Sequence, residues 1–312
     1  MIHKRFIPLC AALLMALTAA SAWASDGRLD VVVSIKPIHA LVAGVMQGVG
    51  TPHLLLNDQQ SPHHFALKPS QARLLQQAEL VFWVDPSLET PMPALLASLA
   101  PHAIDIRFMA DQDLVRYQNK ISDDSDDDHD DHEGHGRGHM VNPHIWLDLE
   151  NARRMVWSIA ATLSAVDPQH AGAYASNAAK LDKRLVDLHE VAKRQFASIQ
   201  RNKFIVQHDA FIYIERQFKL PRGLVIARDH DTPPGTAHLQ HLRDLVVAGV
   251  VSCIFDEPQR AGHQIDIVAG TSFVRRATLD AVGVGLPAGP DLYFDMMRAN
   301  YAAFADCLAG TH

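Results

Sequence analysis

Three histidines sit in short segments of similar character: Ser61-Pro62-His63-His64-Phe65, Asn142-Pro143-His144-Ile145-Trp146 and Val206-Gln207-His208-Asp209-Ala210. Imidazole nitrogen is a common protein ligand for transition metals, so three such rings brought together would make a metal site. His208 directly follows the apolar run Phe204-Ile205-Val206-Gln207. In an open α/β sheet, the carboxyl ends of strands are where ligand groups converge. The three are about 80 and 64 residues apart, with no local arrangement such as His-Glu-x-x-His to join them. Taken singly, a histidine beside a strand is more often a hydrogen-bonded structural group than a ligand. Spacing alone leaves both readings standing.

A second block is richer in histidine. The stretch HDDHEGHGRGH carries His129, His132, His135 and His139 and follows an acidic run that begins at Ser122. Residues 122–139 contain seven Asp, one Glu and one Arg, and no aliphatic or aromatic side chain. A segment so charged and so empty of packing groups is expected to be a disordered insertion, which denies it a core but not a function. His230, His238, His241 and His263 have no motif around them, and His39 reads as structural. Asp256 and Glu257, after the apolar run at Val251, fit either the mouth of a cleft or a solvated turn.

Positioning residues so far apart requires a scaffold. Asp30 to Ile35 and Ala78 to Val84 are near-continuously apolar, as parallel strands covered on both faces are. A helix opens between them at Pro69-Ser70, with proline where its missing N–H costs nothing. The second half repeats the theme, with strands over Lys203–Gln207, Gly223–Ala227 and Val251–Phe255 and helices over Ala210–Gln217 and His238–Val247. Between the halves, residues 168–200 hold no Gly or Pro beyond Pro168 itself and Gly172. Tyr174, Ala178, Leu181, Leu185, Leu188, Ala192, Phe196 and Ile199 recur there at steps of three and four, which predicts one amphipathic helix about 45 Å long. The expected fold class is α/β, with mainly parallel sheets in an N-terminal lobe (25–166) and a C-terminal lobe (201–312) bridged by one long helix (167–200).

Composition sets limits on location and partners. Met1 to Arg5 is a basic start, Phe6 to Ala20 an apolar run and Ala22-Trp23-Ala24 a small-x-small site, together the pattern of a leader peptide over residues 1–24. No later apolar run approaches the length of a transmembrane helix, so an exported, periplasmic chain is expected. Without the leader, 26 basic residues face 35 acidic ones, and there is none of the basic patterning that nucleic acid binding requires. Two cysteines remain, Cys253 and Cys307. An exported chain with an even count is expected to pair them, the alternative being two buried free thiols.

The motifs carry a further signal. Pro62-His63-His64-Phe65-Ala66-Leu67-Lys68-Pro69-Ser70, Asn142-Pro143-His144-Ile145-Trp146-Leu147-Asp148 and His208-Asp209-Ala210-Phe211 resemble, in that order, the ligand segments of the metal-binding receptors of zinc and manganese ABC importers. The similarity covers essentially the whole mature chain, including Thr278-Leu279-Asp280 and the Cys253/Cys307 pair, and is strongest to the zinc-binding periplasmic members. It implies two Rossmann-like lobes joined by a long helix, with the metal between them, held by His63 and His144 from the first lobe and His208 from the second. Asp280 matches the family's carboxylate ligand, although water also fills the fourth position in zinc members. Some of those place a Glu just before the first histidine, where this chain has Pro62. His64 carries less weight than either. Manganese favours oxygen donors, and manganese members carry a carboxylate where this chain has His208, so three imidazoles argue for zinc.

The resemblance implies a receptor, expected to be monomeric, that delivers zinc to an inner-membrane permease and is not an enzyme. Competing readings are a zinc buffer or adhesin working through residues 122–139, a manganese receptor, and a zinc hydrolase using three histidines and a water. Under the receptor reading, His129, His132, His135 and His139 form a secondary, low-affinity collector or sensor close to His144; the alternative is a solubilising loop.

Overall fold

The computed structural model describes residues 29–309, except 59, 120–140, 198, 200–201, 228–232 and 260–261. The leader and the four histidines between 129 and 139 therefore lie outside the described residues, as does His230.

The apolar runs form the strands expected of them. In the first lobe β1 (Val31–Val33), β2 (His53–Leu54), β3 (Leu80–Trp83) and β4 (Ile104–Arg107) form a parallel sheet in the order β2-β1-β3-β4. Every residue of β1 and β3 is buried, the reason these runs lack polar alternation. Edge strand β4 carries Asp105 and Arg107 and is largely exposed, a charged edge that discourages further pairing. In the second lobe β5 (Lys203–Val206), β6 (Leu224–Val225), β7 (Val251–Asp256) and β8 (Arg275–Thr278) repeat that pattern in the order β6-β5-β7-β8, again all parallel.

Both sheets thus have one crossing point where successive connections leave in opposite directions, between β1 and β3 and between β5 and β7. Open parallel sheets hold their functional groups at the carboxyl edge of such points. Covering helices include α1 (Lys36–Val45), α2 (Pro69–Gln77) and α3 (Met92–Leu99) in the first lobe. The second has α6 (Ile212–Gln217), α7 (Thr236–Val247), α8 (His263–Ala269) and α9 (Leu292–Leu308).

The helical bridge differs in detail from the expected single rod. A 3-10 turn at Pro168–His170 precedes the long helix, here α5, which runs Ala171–Phe196 and at 26 residues is about 39 Å long. Tyr174, Ala178, Leu181, Leu185, Leu188, Ala192 and Phe196 are all buried, so the periodic stripe faces the core as the spacing requires. The last member of the stripe, Ile199, packs on the core from beyond the helix end. A second helix, α4 (Leu149–Val166), packs against α5. It starts where Asp148 accepts from the N–H groups of Glu150 (2.7 Å) and Asn151 (3.1 Å), satisfying two otherwise orphaned donors. Helix α5 also contacts α1 of the first lobe and α9 of the second, and one apolar core runs from Val31 to Leu308 through both.

Cys253 of β7 and Cys307 of α9 form a disulfide, with Cα atoms 5.8 Å apart. The link fastens the C-terminal helix to the strand that carries Glu257 at its end. It closes a loop spanning 54 positions, worth about 4 kcal/mol in the chain-entropy model. Replacing both cysteines by serine is expected to lower the stability measured by urea unfolding by about that amount, against no change if the link leaves the unfolded chain unconstrained.

Candidate metal centre

His63, His144 and His208 come together. One ring nitrogen from each lies within 4.8 Å of the other two, and no other group of three or more His, Cys, Asp or Glu side chains converges in this way among the described residues. Ring centroids are separated by 5.1 Å for His144 and His208, 5.7 Å for His63 and His144, and 6.4 Å for His63 and His208. His144 and His208 are 5% exposed and His63 more so, placing the cluster just beneath the surface with one open side.

Each ring is held by a different device. His208 lies two residues past β5, and Glu257 lies one residue past β7, the neighbouring strand across the crossing point. Their side chains meet there: His208 Nδ1 donates to Glu257 Oε1 at 2.6 Å, and the His208 backbone N–H donates to the same oxygen at 3.2 Å. A carboxylate can only accept at neutral pH, so the proton sits on Nδ1 and the lone pair of the neutral ring sits on Nε2.

His144 is fixed the same way by a neutral partner. Asn142 Oδ1 accepts from the His144 backbone N–H at 3.0 Å and from Nδ1 at 2.9 Å. The amide's orientation follows from its other bonds, because Asn142 Nδ2 donates to Asn119 Oδ1 at 2.8 Å and to the Asp209 carbonyl. Tyr213 donates to the Asn142 carbonyl at 2.7 Å, and buried Trp146 donates from Nε1 to the Ala281 carbonyl at 2.7 Å. The Asn-Pro-His-x-Trp segment is thereby tied to the second lobe at three places. His63 stands on the connection between β2 and α2, where its N–H donates to Ser61 Oγ at 3.3 Å.

With both Nδ1 atoms committed as donors, His144 Nε2 and His208 Nε2 face each other at 3.4 Å. Two lone pairs so placed repel unless a cation lies between them. A tetrahedral ion bound through nitrogen at about 2.0–2.1 Å separates its ligands by about 3.3–3.4 Å, the spacing found. The residues therefore fit a small, nitrogen-preferring dication.

Asp280 lines the same pocket but does not join the cluster. Its Oδ1 accepts from the N–H groups of Val282 and Gly283, both at 2.9 Å, and its Oδ2 from Val284 at 2.5 Å. The chain after Asp280 folds back so that three successive amides converge on the carboxylate, a nest that holds an anion in place. Burial pushes its pKa up and these backbone bonds oppose the shift. His64 is exposed. His39, buried in α1, has its Nε2 on the Pro52 carbonyl at 3.0 Å and is the structural group expected; burial lowers its pKa.

Of the two readings open for Glu257, the solvated turn is excluded, because the side chain is 8% exposed, hydrogen-bonded to His208 and lines the pocket. The signal available in the sequence was position: Glu257 follows β7 much as His208 follows β5.

Two parallel α/β lobes joined by a long helix, with ligand-type nitrogens meeting at their junction, define a two-lobed solute-binding protein. The family model of ZnuA, the periplasmic zinc-uptake complex component A, matches residues 31–307, and the chain belongs to that family. It is 30% identical over 313 residues to the high-affinity zinc uptake system protein ZnuA of Brucella suis, covering 90% of this chain and 92% of that protein. Against the ZnuA of Paracoccus denitrificans the identity is 33% over 300 residues, covering 89% and 91%. A zinc-bound crystal structure of a ZnuA deletion mutant superposes with a TM-score of 0.77 at 20% identity, over 91% of this chain and 100% of that one, and so shows a shared fold.

Removing the Glu257 carboxylate tests the ring-orienting role. In Glu257→Leu, His208 is expected to lose its fixed Nδ1–H tautomer in nitrogen NMR spectra, and metal affinity to fall about 10–100-fold. A variant with the tautomer and affinity of the parent would show that the carboxylate orients nothing.

Proposed function

We propose that this chain is the zinc receptor of an ABC importer, which captures zinc at the junction of its lobes in the periplasm and hands it to a membrane permease. The observation that carries the reading is the 3.4 Å approach of His144 Nε2 to His208 Nε2, each ring fixed through its other nitrogen. Membership of the ZnuA family and the named zinc uptake proteins that resemble the chain support zinc as cargo. So does the donor set, since three imidazoles suit zinc and an oxygen-poor site disfavours manganese. Family membership also sets aside the hydrolase reading.

In this proposal His63, His144 and His208 bind zinc and water takes the fourth position. Asp280 is held by three backbone N–H bonds that compete for its lone pairs, and it stands outside the three-histidine cluster. The residues 25–166 and 201–312 act as lobes on either side of the 167–200 segment. A monomer with a leader peptide fits this role. No helix among the described residues is long and apolar enough to cross a membrane, so the permease supplies the membrane step. His129, His132, His135 and His139 serve as a secondary, low-affinity collector upstream of His144.

Two measurements separate the core site from the acidic histidine segment. His144→Ala is expected to weaken zinc binding in competition calorimetry by at least about 100-fold, because one of three nitrogen donors and its fixed geometry are lost together. An affinity equal to the parent's would remove the three-histidine assignment. Deleting residues 122–139 is expected to abolish extra weak binding equivalents while the tight site keeps its affinity and its preference for zinc over manganese. Loss of the tight site on that deletion would favour a buffer.

A further inference from the structure

Beside the metal pocket lies a second pocket that shares Pro62, Gln259 and Val282 with it. It is lined by Lys36, the first residue of α1, whose side chain is 7% exposed and which lies just past the carboxyl edge of β1. A buried ammonium has three N–H donors to satisfy. Here Lys36 Nζ donates to Asp58 Oδ1 at 2.5 Å, to the Gly283 carbonyl at 2.6 Å and to the Leu286 carbonyl at 2.7 Å. The other oxygen of Asp58 accepts from the Gly285 N–H at 3.1 Å. Lys36 and Asp58 belong to the first lobe, whereas Gly283, Gly285 and Leu286 belong to the second.

We infer that Lys36 and Asp58 form a latch between the lobes that sets how long the metal stays, a positioning role that rests on the zinc-receptor reading. Both strands of the connection lead to the metal pocket. Asp58 stands five residues before His63 on the same β2–α2 connection. The loop it grips begins at Asp280, whose carboxylate gathers the N–H groups of Val282, Gly283 and Val284, and at Ala281, whose carbonyl accepts from Trp146 two residues past His144. The latch, the metal cluster and the Trp146 bond therefore close the same seam, and each is favoured when the others are in place.

Chemistry suits this pair to a reversible closure. An apolar contact loses its full burial energy when parted, whereas a lysine and an aspartate regain water as they separate, which offsets part of the loss. Removing Asp58 alone is worse than removing both, because Lys36 stays buried without its counter-charge, whereas Asp58, 39% exposed, regains water when Lys36 is lost. Lys36 also faces the acceptor end of the loop, so no second cation is needed to hold it closed.

The test is a double-mutant cycle on zinc release, with Lys36→Ala, Asp58→Ala and the combined variant, all keeping the three histidines. Release is followed by stopped flow into a chelating dye, and the melting temperature of each metal-free protein is recorded beside it. Each single change is expected to speed release by about tenfold or more, and the double change to be no faster than the faster single one. Lys36→Arg is expected to restore part of the slow release. Unchanged release from folded variants, or effects of the two changes that multiply, would overturn the latch, as would lowered melting temperatures with release unaltered. Amide exchange gives an arm that needs no metal: the N–H groups of Val282, Val284 and Gly285 are expected to lose protection in each variant. If the parent protein binds no zinc, the receptor reading fails, and this exchange measurement alone decides whether the latch exists.

Discussion

The rest of the site depends on where two protons sit. Glu257 and Asn142 each hold an acceptor oxygen against an Nδ1 atom, and that choice turns two Nε2 lone pairs toward one point between the lobes. If either ring reversed its tautomer, the same three histidines at the same distances would be an ordinary hydrogen-bonded cluster. The two acceptors are not equivalent. Asn142 is neutral and knit into bonds with Asn119, Asp209 and Tyr213, so it fixes geometry. Glu257 is a buried carboxylate and places negative charge beside the ring, which favours a dication at the far nitrogen of His208.

Around these two bonds the second lobe adds a network of buried charges. Arg222 pairs with Asp209, next to His208, and with Glu215 at 2.6 Å. Burial pushes Glu215 up to about 6 and the guanidinium beside it pulls the other way. Asp209 in turn offers its carbonyl to Asn142. His208 is therefore joined through the backbone of Asp209 to the residue that orients His144, while the ion pair holds the Asp209 side chain. Such buried polar networks contribute little net stability but define a single arrangement, and a site built from three distant segments needs that definition.

How much of this was legible in the sequence varies with the kind of information each element carries. The long apolar runs at β1, β3, β5 and β7 announced parallel strands because both faces are covered. The charged edges β4 and β8, with Asp105, Arg107, Arg275 and Arg276, hid theirs, and β2 is too short to show a pattern. The stripe from Tyr174 to Phe196 was plain because one face of α5 alone is buried, whereas α9 buries Tyr293, Phe294, Met296, Met297 and Tyr301 on most of its circumference and shows no clean period. Spacings of about 80 and 64 residues say nothing about proximity, so the convergence of His63, His144 and His208 rested on short motifs. Those motifs named the rings but not their partners. Asn142 stood inside one as an unremarked neighbour, and Glu257 lay 49 positions from the histidine it orients. Asp280 was recognisable as a carboxylate near the site, while its engagement by three backbone amides follows from a loop shape that no local pattern encodes.

The duplicated strand order gives each lobe a carboxyl edge beside its crossing point, a similar position with different residues. Lys36 stands three residues past β1 and His208 two residues past β5. In the second lobe that position presents a neutral ring backed by a carboxylate. In the first it presents an ammonium group, and the rings of His63 and His144 come instead from later connections. Placing the cation at one crossing point and the anion-backed imidazole at the other keeps each lobe's buried charge paired within reach, Lys36 with Asp58 and His208 with Glu257. Glu257 thus leaves the histidine cluster beside a negative charge, while the ammonium is occupied by Asp58 and two carbonyls of the opposing lobe. The repeated fold thus supplies two similar strand edges, and their different residues put a carboxylate-backed ring at one and a paired ammonium at the other.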